Sequence, residues 1–468
     1  MHRYLLILLM GIALGLGGCT LAPKYTRPAA PVPADWPKGA AYQETKTATG
    51  IPTASDLKWQ EFFTDEKLQK IIAAALKNNR DLRLAALNVE RARALYGIQR
   101  AELLPAVNAV GSGSRQRVPA DLSTTGSAMT AEQYSVNLGI SSWEIDFFGR
   151  IRGLKDRMLE EYLATEQAGR SARILLVSAV ANAYLALAAD RENFKLAEST
   201  LETQQAAYHL IRRRCDVGLA SELDLNRAQS QVDAARGDVA RYKQQTAQDE
   251  NALNLLVGSP APDELLPAEL GSATPLREIS TGTPSGILLR RPDILAAEHR
   301  LKASNANIGA ARAAFFPRIA LTTNIGTASS ELSGLFKSGS YTWSFAPQIV
   351  MPIFDARTWS AYDATKVERE IALAQYEKAI QTAFREVADA LAVRGTVDQQ
   401  LSAQQSLVKA VAETYRLSNA RYMKGMDSYL GVLDAQRSLN AAQQGLIVLR
   451  LIRLSNLVTL YKVLGGGQ

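Results

Sequence analysis

RRCDVGLASELDLNRAQ, residues 213–229, and ARYMKGMDSYLGVLDAQ, residues 420–436, are two copies of one pattern. Tyr208/Tyr415, Gly218/Gly425, Ala228/Ala435 and Gln229/Gln436 match at an offset of 207. Upstream, Gly97/Gly309, Arg100/Arg312, Ala101/Ala313 and Pro105/Pro317 match at an offset of 212. A repeat this long means that the chain is one architecture written twice. The five-residue change of offset is expected in the loop between the paired strands of each half.

Each half then reads helix, two strands, long helix, turn, helix. In the first half a helix is expected from Asp65 to Leu103, stopped by Pro105, which cannot continue it. After the strands, helices are expected over Gly153 to Val217 and Glu222 to Val257, separated at Gly218. The second half repeats this with a helix to Phe316, one from Ser360 to Lys424, a turn at Gly425 and a helix to Leu464. Val180, Leu187, Phe194, Leu201 and Tyr208 recur every seventh residue, as do Leu225, Val232, Val239, Thr246 and Leu253. Val387, Leu401, Val408, Tyr415 and Tyr422 carry the same register in the second half. A seven-residue seam implies coiled-coil packing. At about 1.5 Å per residue the helix from Gly153 would reach roughly 100 Å, which suits a tall helical wall better than a compact globule.

The strands alternate. Tyr134, Val136, Leu138 and Ile140 interleave with Ser135, Asn137, Gly139 and Ser141. Ile319, Leu321, Thr323 and Ile325 do so in the second half, followed by Tyr341, Trp343, Phe345 and Ile349. The segment from Ala106 alternates poorly and is assigned as a strand by position in the repeat. One apolar and one small or polar face suits a barrel strand with lipid outside and water inside; a pair of soluble hairpins is the competing reading. A bilayer forbids open strand edges, and single-chain barrels need at least eight strands. Four strands per chain therefore demand oligomerisation if the chain spans a membrane: two copies give eight, three give twelve.

The N-terminus sets the compartment. Arg3 precedes an apolar run ending in Leu16-Gly17-Gly18-Cys19, which reads as a secretory signal with lipidation of the Cys19 thiol. An ordinary signal with a chance cysteine is the alternative. Thr20 in place of an aspartate after the cysteine points to the outer membrane. The expected divisions are a signal over 1–18, a proline-rich lipid-anchored arm over 19–60, a first repeat over 61–260, a linker over 261–285 and a second repeat over 286–468. Cys215 is the only other cysteine, so acylation of Cys19 leaves no intrachain disulfide. The formal charge of +7, from 53 basic and 46 acidic residues, is thinly spread, so nucleic acid is not an expected partner. Three histidines and no nucleotide loop, CxxC pair, zinc pattern or GxSxG give no basis for an enzyme, a metal site or a cofactor beyond the lipid. A pore-less coiled-coil scaffold would explain the heptads and Cys19, but not strands at equivalent points of both halves.

With the duplicated halves, the LGGC box and the RYMKGMDSYLGVLDAQ turn in hand, the chain resembles the TolC/OprM-like outer-membrane factors. Within them it is similar to the lipoprotein, NodT-type branch that serves resistance-nodulation-division efflux systems. That resemblance implies a homotrimer, mainly α with a transmembrane β part: a twelve-stranded β-barrel in the outer membrane continued by a long periplasmic α-helical barrel. It implies an exit duct for substrates delivered by a periplasmic adaptor and an inner-membrane transporter. It also places a gate and the adaptor docking at the helix tips around Gly218 and Gly425. Carried over, Asp224 matches a tip aspartate, Tyr422 a tyrosine of the constraining network, Asp434 a lumen-lining acidic ring, and Met426 and Leu430 apolar gate positions. Asp427 stands where TolC has an arginine, and Gly431 where it has an aspartate.

Local chemistry offers plainer readings. Ser221-Glu222-Leu223-Asp224 is a capping-box-like sequence, so Asp224 has capping and gating roles open to it. Asp427 or Ser428 is the corresponding cap candidate in the second half. Gly218 and Gly425 suit tight left-handed turns, and Tyr422 also falls on the heptad.

Overall fold

The computed structural model describes residues 20–42, 53–272, 276, 277, 279 and 284–466. The signal and Cys19 lie outside them. In chain order the main elements are α1 (Glu66–Asn78), α2 (Arg80–Ala101), β1 (Val107–Val118), β2 (Met129–Ile145), α3 (Arg150–Asp216) and α4 (Glu222–Val257). The second half repeats the order with α5 (Pro292–Ala313), β3 (Arg318–Ser329), β4 (Tyr341–Val350), α6 (Ala356–Met423) and α7 (Tyr429–Val463). Two compact units result: one from residues 20–29, 88–166 and 296–376, the other from 30–87, 167–295 and 377–468.

The first unit holds the sheet, with four antiparallel strands in the order β1-β2-β3-β4. Cross-strand register puts Leu138, Ile325 and Trp343 in one row, and Ile140, Thr323 and Phe345 in the next. Directly opposed residues share a face. One face is therefore apolar, and Tyr341 and Trp343 on it are 64% and 66% exposed. The opposite face carries Ser112, Ser135 and Asn137, joined by hydrogen bonds of 2.8 and 3.2 Å. β1 reads poorly as a strand because its partners on the apolar face are Val107, Ala109, Gly111 and Gly113. Small residues there leave room for the ring of Tyr134 to lie against Gly113.

Two expectations need correction. The helix expected from Asp65 to Leu103 is two helices broken at Asn79. That residue leaves helical geometry at ψ 131 and its side-chain oxygen caps the next helix by accepting from Leu82 N at 2.8 Å. Its amide nitrogen donates to the Leu256 carbonyl at 2.9 Å, anchoring the break on α4. The change of offset does not lie in the strand loop. The second strands of the two halves begin 212 residues apart, at Met129 and Tyr341, whereas the helices after them begin 206 apart, at Arg150 and Ala356. The difference is within the strands: β2 has 17 residues and β4 has 10. Part of the excess is a bulge between Ile140 and Trp143, where Ser142 adopts φ 53 and its N–H donates to Thr322 Oγ1.

In the second unit, the helices bury the heptad seams. Val397, Leu401, Gln404, Val408, Val411, Tyr415, Ser418 and Tyr422 are shielded along a stretch of α6 whose other residues are nearly all exposed. An 18-residue window of α3 is apolar enough to cross a membrane, but 61% of it is buried in the fold, as a core helix requires. At the end of α7, the Tyr461 ring stacks on Phe62 with centroids 4.1 Å apart, and its hydroxyl donates to the Leu57 carbonyl at 2.7 Å.

Candidate functional site: the paired helix tips

Both tips of the second unit are built by one device. Gly218 and Gly425 take φ of 75° and 73°, the left-handed region that glycine enters without a Cβ clash. The Gly218 N–H donates to the Cys215 carbonyl and the Leu219 N–H to that of Arg214, at 2.9 and 2.7 Å. Gly425 and Met426 repeat this on Tyr422 and Arg421, at 2.9 and 3.0 Å. These paired bonds form a Schellman stop, satisfying the last carbonyls of α3 and α6.

Beneath the turns one small core draws on all four helices. Ile211 of α3, Ala228 of α4, Tyr422 of α6, and Tyr429, Val432 and Leu433 of α7 are buried together, with Tyr208, Ala220, Leu225 and Tyr415 packed around them. The Tyr422 and Tyr429 rings lie 5.2 Å apart. Burial pushes the Tyr422 hydroxyl upward in pKa; Asp224 adds to this and Arg214 opposes it. Burial, then Tyr422, Tyr415 and Asp224, push Tyr429 up to about 12. Among the described residues neither hydroxyl has a hydrogen-bond partner, so Tyr422 acts here through its ring.

The repeat diverges in its charges. Arg214 and Arg421 are equivalents at the 207 offset. Arg421 clasps Asp427 across the second turn, its Nη2 donating to Oδ1 at 3.1 Å, and that pairing holds the Asp427 carboxyl below its usual range. The first half has Ala220 at the place of Asp427, and Arg214 instead lies over the Tyr422 ring at 4.9 Å. Asp224 is committed locally: its N–H and its Oδ2 both engage the N-cap Ser221 hydroxyl, and Arg227 Nη1 lies 3.6 Å from Oδ1. Ser428 stands at the equivalent cap but makes no side-chain cap bond, while Asp427 is turned to Arg421.

Asp434 differs from all of these. It is exposed on α7 and forms no ion pair or hydrogen bond with the described residues. Its equivalent in the first half is Arg227, the residue that neutralises Asp224. Met426, in the turn before α7, and Leu430, one helical turn before Asp434, are 60% and 52% exposed. The structure thus buries Tyr422 in the tip core with the Asp224 charge near enough to act on it, leaves Met426, Leu430 and Asp434 on the surface, and adds Arg214, Arg227, Arg421 and Tyr429. The 207 offset could have found the two tip arginines. Among the described residues no group of three or more His, Cys, Asp or Glu is placed to hold a metal.

Comparison with known proteins agrees with this architecture. The family model for the outer membrane efflux protein matches residues 71–259 and 283–466. The antibiotic efflux pump outer membrane protein ArpC of Pseudomonas putida is 52% identical over 97% of this chain and 93% of its own length. The toluene efflux pump outer membrane protein TtgC, also of Pseudomonas putida, matches with the same identity and coverage. Among solved structures, the open state of the Neisseria gonorrhoeae MtrE outer membrane channel superposes with a TM-score of 0.85 at 38% identity, over 96% of this chain and 98% of that one. The chain belongs to the outer membrane efflux protein family: it is an outer-membrane component of efflux pumps, and not an enzyme.

Proposed function

We propose that three copies of this chain form the exit duct of a tripartite pump, conducting passively what an inner-membrane resistance-nodulation-division transporter and a periplasmic adaptor deliver. The observation that carries this reading is the sheet: four strands, apolar on one face, with β1 and β4 unpaired at its edges among the described residues. Lipid tolerates no such edge, and three copies supply twelve strands for a closed barrel. α2 supports the same conclusion. None of its residues is buried, and Leu84, Leu87, Leu95 and Ile98 form an exposed stripe that a neighbouring copy would cover. Cys19 would carry the lipid anchor, with no other cofactor.

The gate would lie at the tips, where Gly218 and Gly425 make the turns that face the adaptor. Met426 and Leu430 would form apolar rings resisting water, backed by a ring of Asp434 carboxylates that attracts cations. Asp224 and Tyr422 would hold the tip core rather than face the cargo. Equal similarity to proteins named for antibiotic and for toluene efflux supports a wall that leaves cargo selection to its partners. Planar-bilayer recording of the purified chain tests the reading. A small single-channel conductance that rises when adaptor is added is expected; a chain that makes no channel in either condition contradicts it.

A further inference from the structure

Far along α3 from the tips, three neighbouring residues tie other parts of the second unit together. Arg191 donates to Glu250 Oε1 of α4 at 2.5 Å and to the Pro267 carbonyl at 2.8 Å. Glu192 accepts from Arg450 Nη1 of α7 at 2.6 Å and from the Leu270 N–H at 3.2 Å. Lys195 stands 3.7 Å from Glu269. Each of these charges has an opposite partner.

Asp190 and Asp249 do not. The Arg191–Glu250 bond holds α3 against α4 here, and brings Asp190 close enough to Asp249 for its charge and hydrogen bonding to act on that carboxyl. The nearby cations Arg191, Lys195 and Arg450 are committed to Glu250, Glu269 and Glu192. Among the described residues only amides approach the two carboxyls: Asn193 Nδ2 donates to Asp190 Oδ1 and Gln245 Nε2 to Asp249 Oδ1, each at 3.4 Å. Among the described residues no donor reaches the shielded Asp249 Oδ2, nor the Oδ1 of Asn193, itself 6% exposed. Two ionised carboxylates can only accept, so this arrangement leaves oxygens with nothing to accept from. Both aspartates are half-buried, and with Asp249 Oδ2 shielded from water two facing charges are disfavoured there.

We propose that Asp190 and Asp249 share one proton, and that this proton is a removable tie between α3 and α4. When present, it closes an O–H···O bond across the helix pair. Its loss to water leaves two facing carboxylates that push the pair apart. Electrostatics run the same way. Burial first, then the hydrogen bond and charge of Asp190, push the Asp249 carboxyl up to about 6, with Gln245 opposing. The charged and amide groups in the surrounding ties are Arg191, Glu192, Asn193 and Lys195 of α3, Gln245 and Glu250 of α4, Glu269 of the segment that follows, and Arg450 of α7. Because the folded value lies above the ordinary one of 3.8, the folded chain holds the extra proton between about pH 4 and about pH 6. The tie is therefore strongest at the acid end of that window and is lost as pH rises through it. α3 and α4 continue to the first tip, so this hairpin is held more firmly in acid. The tie acts whether or not the chain conducts.

Hydrogen exchange of the full chain in detergent, read on residues 186–193 and 245–252, tests the proposal at about pH 5 and about pH 7.5 after correction for intrinsic rates. In the wild type these peptides should be protected severalfold more at the lower pH. Asp249→Asn, which supplies a permanent N–H donor, should give the acid level of protection at both values. Asp190→Asn should do the same and stands in if the first variant folds poorly. A pH difference unchanged in both variants overturns the proposal. So does protection of the wild type, but not of Asp249→Asn, by added Mg2+ or Ca2+ at about pH 7.5, since a cation would then be the occupant.

Discussion

Arg227 Nη1 stands 3.6 Å from Asp224 Oδ1 on the first helix tip, and the position Arg227 fills is the one Asp434 fills on the second. The duplicated halves thus present unequal tips. On the first, the carboxylate is capped and neutralised within its own turn of helix; on the second, it is exposed and unmatched. A ring of cation-attracting groups drawn from three chains would then come from Asp434 alone.

Asp434→Asn should weaken cation block of the single-channel current on the order of tenfold, the scale of removing unit charges a few ångströms from a pore ion. Asp224→Asn should change block far less and act instead on the stability of the tip, through its cap. Planar-bilayer titration with a multivalent cation measures both. Equal effects from the two variants would contradict the assignment.

The second turn should loosen in acid. Arg421 holds the Asp427 carboxyl below its usual range, so the pair is intact above about pH 4 and is lost as pH falls through the lowered value. Amide exchange across residues 424–428 should rise below about pH 4 in the wild type. Arg421→Ala should show the faster exchange at every pH.

The N-terminal arm over residues 20–29 is clasped to α5 in the first unit. Arg27 Nη2 donates to Glu298 Oε2 at 2.6 Å; the glutamate is 4% exposed and the arginine 47%. Burial raises the Glu298 carboxyl, but Arg27 and Lys302 outweigh it and leave it below its ordinary value. Its contribution is therefore present at neutral pH and lost as pH falls below about 4. Arg27→Ala leaves the acid buried with weaker partners and should cost about 1.5–3 kcal/mol. Glu298→Gln should cost less, because the released arginine is already half in water. Thermal unfolding of the two variants sets the order.

Gly309 allows the same arm to lie close. A Cβ there would meet Ala22 backbone at 2.7 Å, whereas the equivalent Gly97 has nothing within 4 Å in its own chain. Gly309→Ala should free residues 20–27 to limited proteolysis, despite the gain of about 1 kcal/mol in helix propensity that alanine brings.

Much of this fold was legible in the sequence because it repeats. Heptads, the two αL glycines and the alternation of β2, β3 and β4 each reflect a local periodicity. The Asn79 break was hidden, since asparagine is tolerated in helices and its cap depends on Leu256, 177 residues away. The longer β2 was misplaced because a bulge at Ser142 leaves no composition signal. At the tips, Asp224 and Arg227 sit three residues apart and were readable; Arg214 over Tyr422 was not, since that contact needs both halves folded together. Glu298 was equally opaque, being 271 residues from Arg27.

Four strands per chain would close into a barrel only by association of copies. Native mass spectrometry of the detergent-extracted full chain tests it most directly. A particle of three chains, twelve strands in all, is expected; a stable, folded single chain would rule out the shared barrel.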